Sequence, residues 1–568
     1  MTATPWGFRD ILPEEAQTRE EIAWTVKGCL KEHHYLPVET PILEDKAALE
    51  EGGRIADTPF KLFDDDGRLL VVRPDNTLPI VRLVSSRMGA GDLPLRLRYE
   101  APVVRECQRG MGGSRQFTQL GFELIGTGDA AGDIEAVSLV AEALRALELP
   151  APQVVCGSVR PFKALLARCA DDALAAEALR LVHANNFVDL DARVEASSED
   201  AAVKAAICEL PRLAGGIEAL DRVDELLAAA GVEMSATEEL RALLAGLAAE
   251  DAALVSFDFS IMNSFDYYTG LVFKAYAGGL ADPVGSGGRY DSIFDGVFGA
   301  GVDVPAAGFA FSLERLEEAG VEKGAAGVAT DAAAGASAPA PLRIAVPKGS
   351  LKADTLRVFE AAGIDASEFA DPGRKLIVRG RDTRGDIGEI EFVIVRPSDA
   401  PVFTACGGAD CGICGYDSLI EADMDLLQLV DLGYGGCRFI EAEPRWRAGQ
   451  AERNYARLGA LRVATKYPRI ATAWYESRGV NAEVVSLHGN IELGPIVGMA
   501  DRIVDITATG ATLRDNDLVI TGEIMECTAR FFVNPGAARL DPRVRVLAER
   551  LDAAAKSLHF EPVAGSAQ

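Results

Sequence analysis

The chain has 568 residues, of which 48% are hydrophobic and 25% are charged, and its formal net charge is −29 at pH 7. This length exceeds what one hydrophobic core normally supports, so we expect more than one domain of an ordinary soluble protein. The acidic charge argues against nucleic-acid binding, because phosphates would be repelled and no basic stripe compensates. The sequence lacks a membrane-spanning apolar run and a signal-peptide pattern, which predicts a cytoplasmic protein that does not bind membranes.

The first segments of the chain mix helical and strand patterns. Residues 14–35 have the apolar spacing of a helix, whereas residues 94–106 are rich in strand-forming side chains. Residues from about 160 to 250 are rich in Ala, Leu and Glu with helical periodicity, which predicts a helical insertion. Strand and glycine patterns return over residues 254–312. We therefore predict one α+β domain over residues 1–322.

The composition changes abruptly after that domain. Residues 324–341 are mostly Ala, Gly, Ser and Pro, with one charged residue and no aromatic residue. Such a segment cannot bury enough apolar surface to offset its ordering entropy, so we predict a flexible linker over residues 323–341. Short strand patterns then alternate with helical segments over residues 342–568. This alternation predicts a second domain of α/β class with a largely parallel sheet.

Four motifs in the first domain together point to one family. They lie at residues 71–82, 98–126, 265–273 and 285–316. With these motifs the domain resembles the catalytic body of class II histidyl-tRNA synthetases over most of residues 1–320. The resemblance implies an antiparallel sheet with helices. It also implies dimerisation around a motif such as residues 35–44.

The same resemblance implies a pocket for a polar, cationic amino acid. Its members would be Asp75, Arg105, Gln119, Glu123, Tyr267 and Tyr268. Carboxylates suit an ammonium and an imidazole, and Tyr and Gln supply directed hydrogen bonds. Arg105 and Arg315 correspond to the arginines that grip phosphates in the second and third motifs. The alternative is that these side chains only form a satisfied buried network.

Two departures from the synthetase pattern bear on the activity of this domain. Asn263 stands where synthetases carry an arginine, and asparagine offers no positive charge to a developing pentacovalent phosphate. Glu106 precedes Cys107, whereas the family places this glutamate one residue later. No anticodon-binding domain follows, so the domain resembles the synthetase paralogue that is the regulatory subunit of ATP phosphoribosyltransferase. An active histidyl-tRNA synthetase is the less favoured alternative.

A second set of motifs follows the linker. They lie at residues 342–365, 374–378, 394–419, 431–439, 461–480, 486–518 and 528–535. In this order they resemble the short-form catalytic subunit of ATP phosphoribosyltransferase. That resemblance implies a two-lobed fold like that of periplasmic binding proteins. We interpret the chain as a natural fusion of the regulatory and catalytic subunits.

The resemblance implies a reaction between ATP and phosphoribosyl pyrophosphate, the first step of histidine biosynthesis. Adenine N1 would attack C1 of the ribose and release pyrophosphate through an oxocarbenium-like state. This chemistry needs a loop for the 5-phosphate, a carboxylate near the ribose hydroxyls, and cations or Mg²⁺ for the leaving group. We further expect inhibition by L-histidine, because one half resembles a regulatory subunit and the reaction is the first step of the pathway. We also expect a homo-oligomer, because a covalent link raises the effective concentration of the two halves.

Residues 504–517 match the first two of these needs. An apolar run ends in Asp505 and is followed by Thr507, Thr509, Gly510, Ala511 and Thr512. Alone, this pattern fits either a sugar-phosphate cradle or a plain strand-to-helix turn. Given the resemblance, we interpret the loop amides and the following helix N-terminus as the 5-phosphate site, and Asp505 as the partner of the ribose diol. Mg²⁺ would arrive with the pyrophosphate and lie near Asp505, without a site formed by protein side chains alone.

The contacts to ATP and pyrophosphate are assigned to five residues. They are Lys348, Arg374, Arg396, Lys466 and Glu492, and the predicted catalytic residues are Lys348, Arg374 and Asp505. The alternative for each cation is a surface role or a structural ion pair, and Glu492 fits a loop equally well. Ser350 stands where the family carries an arginine that neutralises the leaving group, and a hydroxyl cannot replace a delocalised cation. This departure motivates a second hypothesis, a histidine-binding sensor with a degenerate transferase half.

Four cysteines have the spacing of a plant-type ferredoxin site. They are Cys406, Cys411, Cys414 and Cys437. Their surroundings are rich in Gly and Ala, where cysteine can serve as a small buried residue, and we favour that interpretation. Secretion disulfides are not expected without a signal sequence.

Overall fold

The computed structural model describes residues 4–47, 60–107, 114–232, 237–261, 268–277, 280–294, 304–328, 340–508 and 510–560. The chain separates into two compact units, Met1–Ala336 and Ser337–Gln568. The boundary falls within the segment predicted as a linker, although a helix continues to Val328 and residues 329–339 lie outside the described residues. None of the described helices is long and apolar enough to cross a membrane.

The first unit contains helices and strands in alternation, with most of its helices in the middle. The helices are α1 (Pro13–Glu32), α2 (Thr77–Arg87), α3 (Asp129–Ala146), α4 (Arg160–Leu166), α5 (Asp172–His183), α6 (Phe187–Glu195), α7 (Ala201–Glu209), α8 (Ile217–Ala229), α9 (Glu238–Gly246), α10 (Ala249–Ala252) and α11 (Leu313–Val328). The strands are β1 (Leu36–Pro37), β2 (Leu43–Asp45), β3 (Lys61–Phe63), β4 (Leu69–Val72), β5 (Leu95–Val104), β6 (Gln116–Ile125), β7 (Gln153–Ser158), β8 (Ala214–Gly215), β9 (Val255–Asp258), β10 (Leu271–Tyr276), β11 (Gly285–Arg289) and β12 (Ala306–Ser312).

A nine-stranded sheet forms the body of the first unit, in the order β1-β5-β6-β12-β11-β10-β7-β9-β8. Its centre, from β5 to β7, is antiparallel, and among the described strands the parallel pairs are β1–β5 and β7–β9. The strands β2, β4 and β3 form a separate small sheet. The long strands β5 and β6 pair over their whole length, so their side chains have a fixed register.

Helices α4 to α10 lie in the segment predicted as a helical insertion. Three of them begin at side chains that cap free backbone N–H groups, namely Asp171 before α5, Asn186 before α6 and Asp200 before α7. Such caps replace the hydrogen bonds that the first turn of a helix lacks. Leu and Val side chains on their inner faces are buried, which explains why the helical periodicity is so clear in the sequence.

The second unit contains two sheets with helices around them. The helices are α12 (Lys352–Ala361), α13 (Ser367–Ala370), α14 (Ala400–Ala405), α15 (Tyr416–Ala422), α16 (Gln450–Leu458), α17 (Pro468–Glu476), α18 (Leu493–Ile496), α19 (Ala511–Asp515), α20 (Pro535–Leu540) and α21 (Pro542–Ser557). The strands are β13 (Leu342–Pro347), β14 (Ile364–Asp365), β15 (Ile377–Asp382), β16 (Glu389–Val395), β17 (Cys411–Gly415), β18 (Leu427–Asp431), β19 (Cys437–Pro444), β20 (Leu461–Thr465), β21 (Ala482–Ser486), β22 (Arg502–Thr507), β23 (Leu518–Cys527) and β24 (Ala529–Val533).

Two lobes follow from these sheets. The large lobe has seven strands in the order β14-β15-β16-β13-β17-β24-β18, and the small lobe has five in the order β21-β20-β22-β19-β23. The chain enters the small lobe between β18 and β19 and returns between β23 and β24. Each lobe has a core of three parallel strands, β16-β13-β17 in one and β21-β20-β22 in the other.

The prediction of a largely parallel sheet is wrong for the strands that flank these cores. β15 and β24 in the large lobe, and β19 and β23 in the small lobe, are antiparallel to their neighbours. Antiparallel strands need no crossover helix, so the chain can pass between the lobes through short connections. Alternation of strands and helices in the sequence predicts the parallel cores and does not reveal these flanks.

The cysteines with ferredoxin spacing do not converge. Cys411 and Cys414 are buried on β17, and their separation of three residues places them on opposite faces of the strand. Cys406 is exposed, and Cys437 is the register partner of Cys527 on β23. Within the described ranges, no group of three or more His, Cys, Asp or Glu side chains could hold a metal ion.

Candidate functional site

Strand β6 positions the predicted amino-acid pocket of the first unit. Gln119, Gly121 and Glu123 alternate along the strand and therefore lie on one face of the sheet. A Cβ on Gly121 would stand 2.6 Å from the hydroxyl of Tyr99, so only glycine leaves room for that ring. The strand thus presents a polar, uneven face.

Glu123 is completely buried and is the acceptor of three hydroxyl groups. Thr77 donates to Oε1 at 2.8 Å, Tyr99 donates to Oε1 at 3.3 Å, and Tyr290 donates to Oε2. Burial raises the pKa of Glu123 to about 8, and the three hydroxyl bonds only partly oppose this effect. The carboxyl group is therefore mostly protonated at neutral pH, with all its described partners supplied by the protein itself.

Three of the other predicted pocket residues are also engaged with the protein. Gln119 Oε1 accepts from the backbone N–H and the side-chain amide of Asn76, at 3.0 and 2.8 Å. Asp75 accepts from the N–H of Leu78 at 3.2 Å, and burial raises its pKa although the charge of Arg105 opposes the shift. Arg105 Nε donates to the carbonyl of Pro74 at 2.8 Å. Asp75 and Arg105 are thus electrostatic neighbours.

The other residues predicted for the first unit lie in different surroundings. Tyr268 is half-buried, and its ring packs so closely on Gly288 that a Cβ there would lie 2.5 Å away. Arg315 donates to the Asp282 carboxylate and the Pro283 carbonyl, both at 2.8 Å. Tyr267 and Asn263 lie outside the described residues.

In the small lobe, three predicted residues lie at the carboxyl ends of parallel strands. Lys466 directly follows β20, Asp505 lies near the end of β22, and Glu492 lies in the connection that follows β21. Thr465 is the register partner of Val504, so Lys466 and Asp505 are the next residues on two adjacent strands. The parallel register thus brings a cation and a carboxylate together.

Asp505 is a carboxylate with an unusual environment. Burial is the main cause that raises its pKa to about 6, and the negative charge of Glu492 adds to this effect. The N–H of Ile506, which donates at 2.8 Å, and the charge of Lys466 oppose it. A carboxylate that is costly to keep charged gains from any ligand that donates hydrogen bonds to it.

The loop after β22 is a tight turn. Gly510 donates its N–H to Thr507 Oγ1 at 2.9 Å and has a φ of +69°, a left-handed conformation that favours glycine. Ala511 and Thr512 are exposed in the first turn of α19. Helix α19 has only five residues, so its dipole would add little to the anion site predicted here, which would depend on the loop amides. Thr509 lies outside the described residues.

Arg514 is a residue at this loop that the sequence interpretation missed. Its guanidinium lies 3.2 Å from the position that a Cβ on Gly510 would occupy, so it covers the turn. The spacing of four residues within a helix-forming segment places the two on one side of α19. That spacing is a signal that could have identified Arg514 as a further cation beside the loop.

The large lobe presents its predicted cations at the matching edge. Lys348 follows β13 and Arg396 follows β16, and the N–H of Lys348 donates to the carbonyl of Val395 at 3.0 Å. Arg374 lies just before β15, whose first residue pairs beside the carboxyl end of β16. All three side chains are exposed, and none forms an ion pair with another described residue. Ser350 is exposed in the turn that follows Lys348.

The carboxyl edges of the two lobes face each other. Asp417 follows β17 in the large lobe and lies beside Tyr467, which follows Lys466 in the small lobe. Burial raises the pKa of Asp417, and the backbone N–H of Ser418 and the nearby Tyr467 hydroxyl partly oppose the shift. Ligands of open α/β sheets bind outside the carboxyl ends of the strands. The contact of Asp417 with Tyr467 brings the carboxyl edge of β17 beside that of β20.

Comparison with known proteins separates the chain along the same line. Residues 7–316 match a family model described as histidyl-tRNA synthetase, and residues 396–553 match one described as ATP phosphoribosyltransferase. An ATP phosphoribosyltransferase of Rubrobacter xylanophilus is 50% identical over 199 residues, which cover 35% of this chain and 89% of the relative.

Two further relatives correspond to the first unit. An ATP phosphoribosyltransferase regulatory subunit of the same organism is 37% identical over 325 residues, or 56% of this chain and 76% of the relative. A crystal structure from Bacillus halodurans, described as an ATP phosphoribosyltransferase regulatory subunit/histidyl-tRNA synthetase, superposes with a TM-score of 0.52 and 29% identity. It covers 70% of this chain and 93% of that structure.

Proposed function

The chain belongs to the ATP phosphoribosyltransferase family, with a regulatory-subunit half and a catalytic half on one polypeptide, and we propose how its residues carry out the reaction. The predicted family, enzyme class and fold class are thereby confirmed. The enzyme transfers the 5-phosphoribosyl group of phosphoribosyl pyrophosphate to N1 of ATP and releases pyrophosphate. The observation that supports the residue roles best is that Asp417 and Tyr467 bring the carboxyl edges of the two lobes together, and we place the substrates in a cleft between these edges.

We assign the phosphoribosyl group to the small lobe. The loop amides around Gly510, with Thr507 and Thr512 hydroxyls, would hold the 5-phosphate. Asp505 would accept hydrogen bonds from the ribose diol, which removes part of the cost of its charge. This arrangement leaves C1 of the ribose directed towards the cleft. The small lobe thus fixes the electrophile and excludes water from one of its faces.

We assign the leaving pyrophosphate and the ATP phosphates to the cations. Lys348, Arg374 and Arg396 come from the large lobe and Lys466 from the small lobe, and all four are exposed at the edges of the cleft. Positive charge placed where negative charge develops stabilises an oxocarbenium-like transition state without proton transfer. Glu492 would add a hydrogen-bond acceptor near the ribose.

The carboxylates of Asp505 and Glu492 suit a hard cation with oxygen ligands, and the charge of Glu492 helps to raise the pKa of Asp505, which indicates that the two lie close together. We therefore propose that these two residues hold Mg²⁺ when it arrives with the pyrophosphate. The metal would neutralise charge on the leaving group. The protein residues orient the substrates around it.

We propose that the first unit provides histidine feedback inhibition and assembly. Its pocket retains carboxyl, amide and phenol groups that suit an imidazole and an ammonium. Its N-terminal part exposes large apolar side chains, including Leu12, Trp24 and Phe63, with 68%, 68% and 76% of their surface accessible. Apolar surface of this kind is typical of a homo-oligomer interface.

The activity is tested by mixing the purified chain with ATP, phosphoribosyl pyrophosphate and Mg²⁺ and following the ultraviolet absorbance of phosphoribosyl-ATP. We expect turnover, and addition of millimolar histidine should slow it. Absence of product at high enzyme concentration would instead favour a histidine sensor with a degenerate transferase half. A rate unchanged by histidine would contradict the proposed regulation, and a monomer in sedimentation experiments would contradict the proposed assembly.

A further inference from the structure

The two lobes of the transferase unit are joined by a helix cap that comes from the opposite lobe. Glu421, in α15 of the large lobe, accepts from the backbone N–H groups of Arg469 and Ile470 in the small lobe, at 3.1 and 3.2 Å. These N–H groups belong to the first turn of α17, whose own N-cap residue, Tyr467, gives no side-chain cap. Such groups are normally satisfied from within the same segment.

Two further contacts join the same elements. Asp423, at the end of α15, forms an ion pair with Arg469 at 2.7 Å. Asp417, at the start of α15, lies near the Tyr467 hydroxyl, whose pKa is raised by burial and further by the charge of Asp417. Three acidic side chains of one short helix therefore hold the start of one helix in the other lobe. We call the contacts of Asp417, Glu421 and Asp423 with residues 467–470 the lobe clamp.

The lobe clamp lies beside the reacting groups. Lys466 directly precedes Tyr467, and β20, which carries Lys466, is adjacent to β22, which carries Asp505. The other cations belong to the large lobe, at the ends of strands β13 and β16. A displaced lobe would move the phosphoribosyl group away from ATP and from the cations. Small errors in the placement of reacting groups cost large factors in rate.

We propose that Glu421 is a positioning residue of the transferase, which fixes the small lobe relative to the large lobe by capping α17 across the cleft. This inference rests on the residue roles proposed above. It assigns no contact between Glu421 and a substrate. The proposed roles place the 5-phosphate, the ribose and Mg²⁺ on the small lobe, and only the pyrophosphate end of the substrate reaches the cations of the large lobe. Loss of the lobe clamp should therefore affect the rate more than the affinity for phosphoribosyl pyrophosphate.

The first test compares Glu421→Ala with Glu476→Ala, which removes an exposed carboxylate at the other end of α17. We expect E421A to lower kcat by about tenfold, while calorimetry gives a Kd for phosphoribosyl pyrophosphate within about twofold of the wild-type value. E476A should leave both unchanged. A kcat equal to that of the wild type, or a loss confined to affinity, would overturn the proposal.

A charge exchange tests the same contact without deleting a side chain. Asp423→Arg or Arg469→Asp alone brings like charges together, and we expect each to lower kcat by about threefold or more. The double variant restores an ion pair of reversed polarity and should recover most of the wild-type rate. If kcat of the double variant is lowered by the product of the two single fold-changes, the two side chains act independently. The effect is then not due to the lobe clamp, and the proposal fails.

Amide hydrogen exchange measures the lobe clamp without enzyme turnover. It therefore tests this inference independently of the proposed residue roles in the transferase reaction. In E421A, peptides that contain Arg469 and Ile470 should exchange about fivefold faster or more, the factor expected for a lost helix cap. Unchanged exchange would overturn the proposal even in an active enzyme. Faster exchange in a protein without turnover would contradict only the proposed residue roles.

Discussion

Glu123, which is fully buried, and Asp505, which is half-buried, differ in where their hydrogen bonds come from. Glu123 in the first unit is fully buried among three hydroxyl donors of the protein, whereas Asp505 in the second unit has one described backbone N–H. Both have a raised pKa, and burial is the main cause for each. The first carboxyl is therefore stable without a ligand, while the second is costly until a ligand donates to it. The two groups thus differ in whether the protein itself or a ligand would supply their hydrogen-bond donors.

The largest effect is expected for Asp505→Asn, which removes the charge of the second carboxyl group. We expect kcat/KM for phosphoribosyl pyrophosphate to fall by about 100-fold or more, because the ribose diol loses a charged acceptor. The unfolding temperature should rise at the same time, since the variant removes a charge whose burial, discounted for partial exposure, costs about 1–2 kcal/mol. Steady-state kinetics and calorimetry measure the two effects. Asp515→Asn, an exposed aspartate of α19, serves as the control and should change neither.

Restoring the family arginine at Ser350 tests whether a missing cation limits the release of pyrophosphate. Ser350→Arg should raise kcat by about tenfold, because it adds a delocalised cation beside the leaving pyrophosphate. Ser350→Gln has similar reach without charge and should leave kcat within about twofold. Initial rates at saturating ATP and phosphoribosyl pyrophosphate are the measurement. Equal gains from both variants would show that charge at this position is not limiting.

The pH dependence of kcat/KM tests the ionisation of Asp505. Asp505 must be ionised to accept from the diol, and its pKa is about 6, so kcat/KM for phosphoribosyl pyrophosphate should fall as the pH drops below about 6. The expected decline is about tenfold per pH unit well below that value. The ratio of wild-type to D505N activity corrects for titration of the substrate. A ratio that stays constant between pH 5 and 7 would contradict the role of Asp505.

The smallest expected effect concerns the first unit. Burial raises the pKa of Glu123 to about 8, so the folded state holds a proton that the unfolded chain releases near pH 4.5. Stability should therefore decrease as the pH rises between these values, and Glu123→Gln should remove this dependence. We expect the stabilisation by E123Q, measured by thermal unfolding, to be larger at pH 8 than at pH 5. The same variant should weaken histidine inhibition if the pocket binds histidine.

The sequence predicts the parallel core strands of the second unit well, because Val and Ile runs such as residues 389–395 are typical of strands buried on both faces. It does not reveal β17, since its Cys and Gly residues lack the composition of strand formers. The loop around Gly510 is visible because the turn requires particular residue types. By contrast, Asp417 and Tyr467 belong to ordinary helix starts in the sequence, and Glu421 belongs to an ordinary last helical turn. Their importance depends on which elements meet in space, and sequence spacing does not report that.

The strand order of the large lobe also has a consequence for biosynthesis. β24 lies between β17 and β18, and β18 has no other strand neighbour in its sheet. The ribosome must therefore complete the whole small lobe, from Cys437 to Cys527, before the large lobe can close its sheet. The small lobe is a continuous segment that can fold first, and the last strand then joins both. Vectorial synthesis thus delays the complete cleft until the polypeptide is nearly finished.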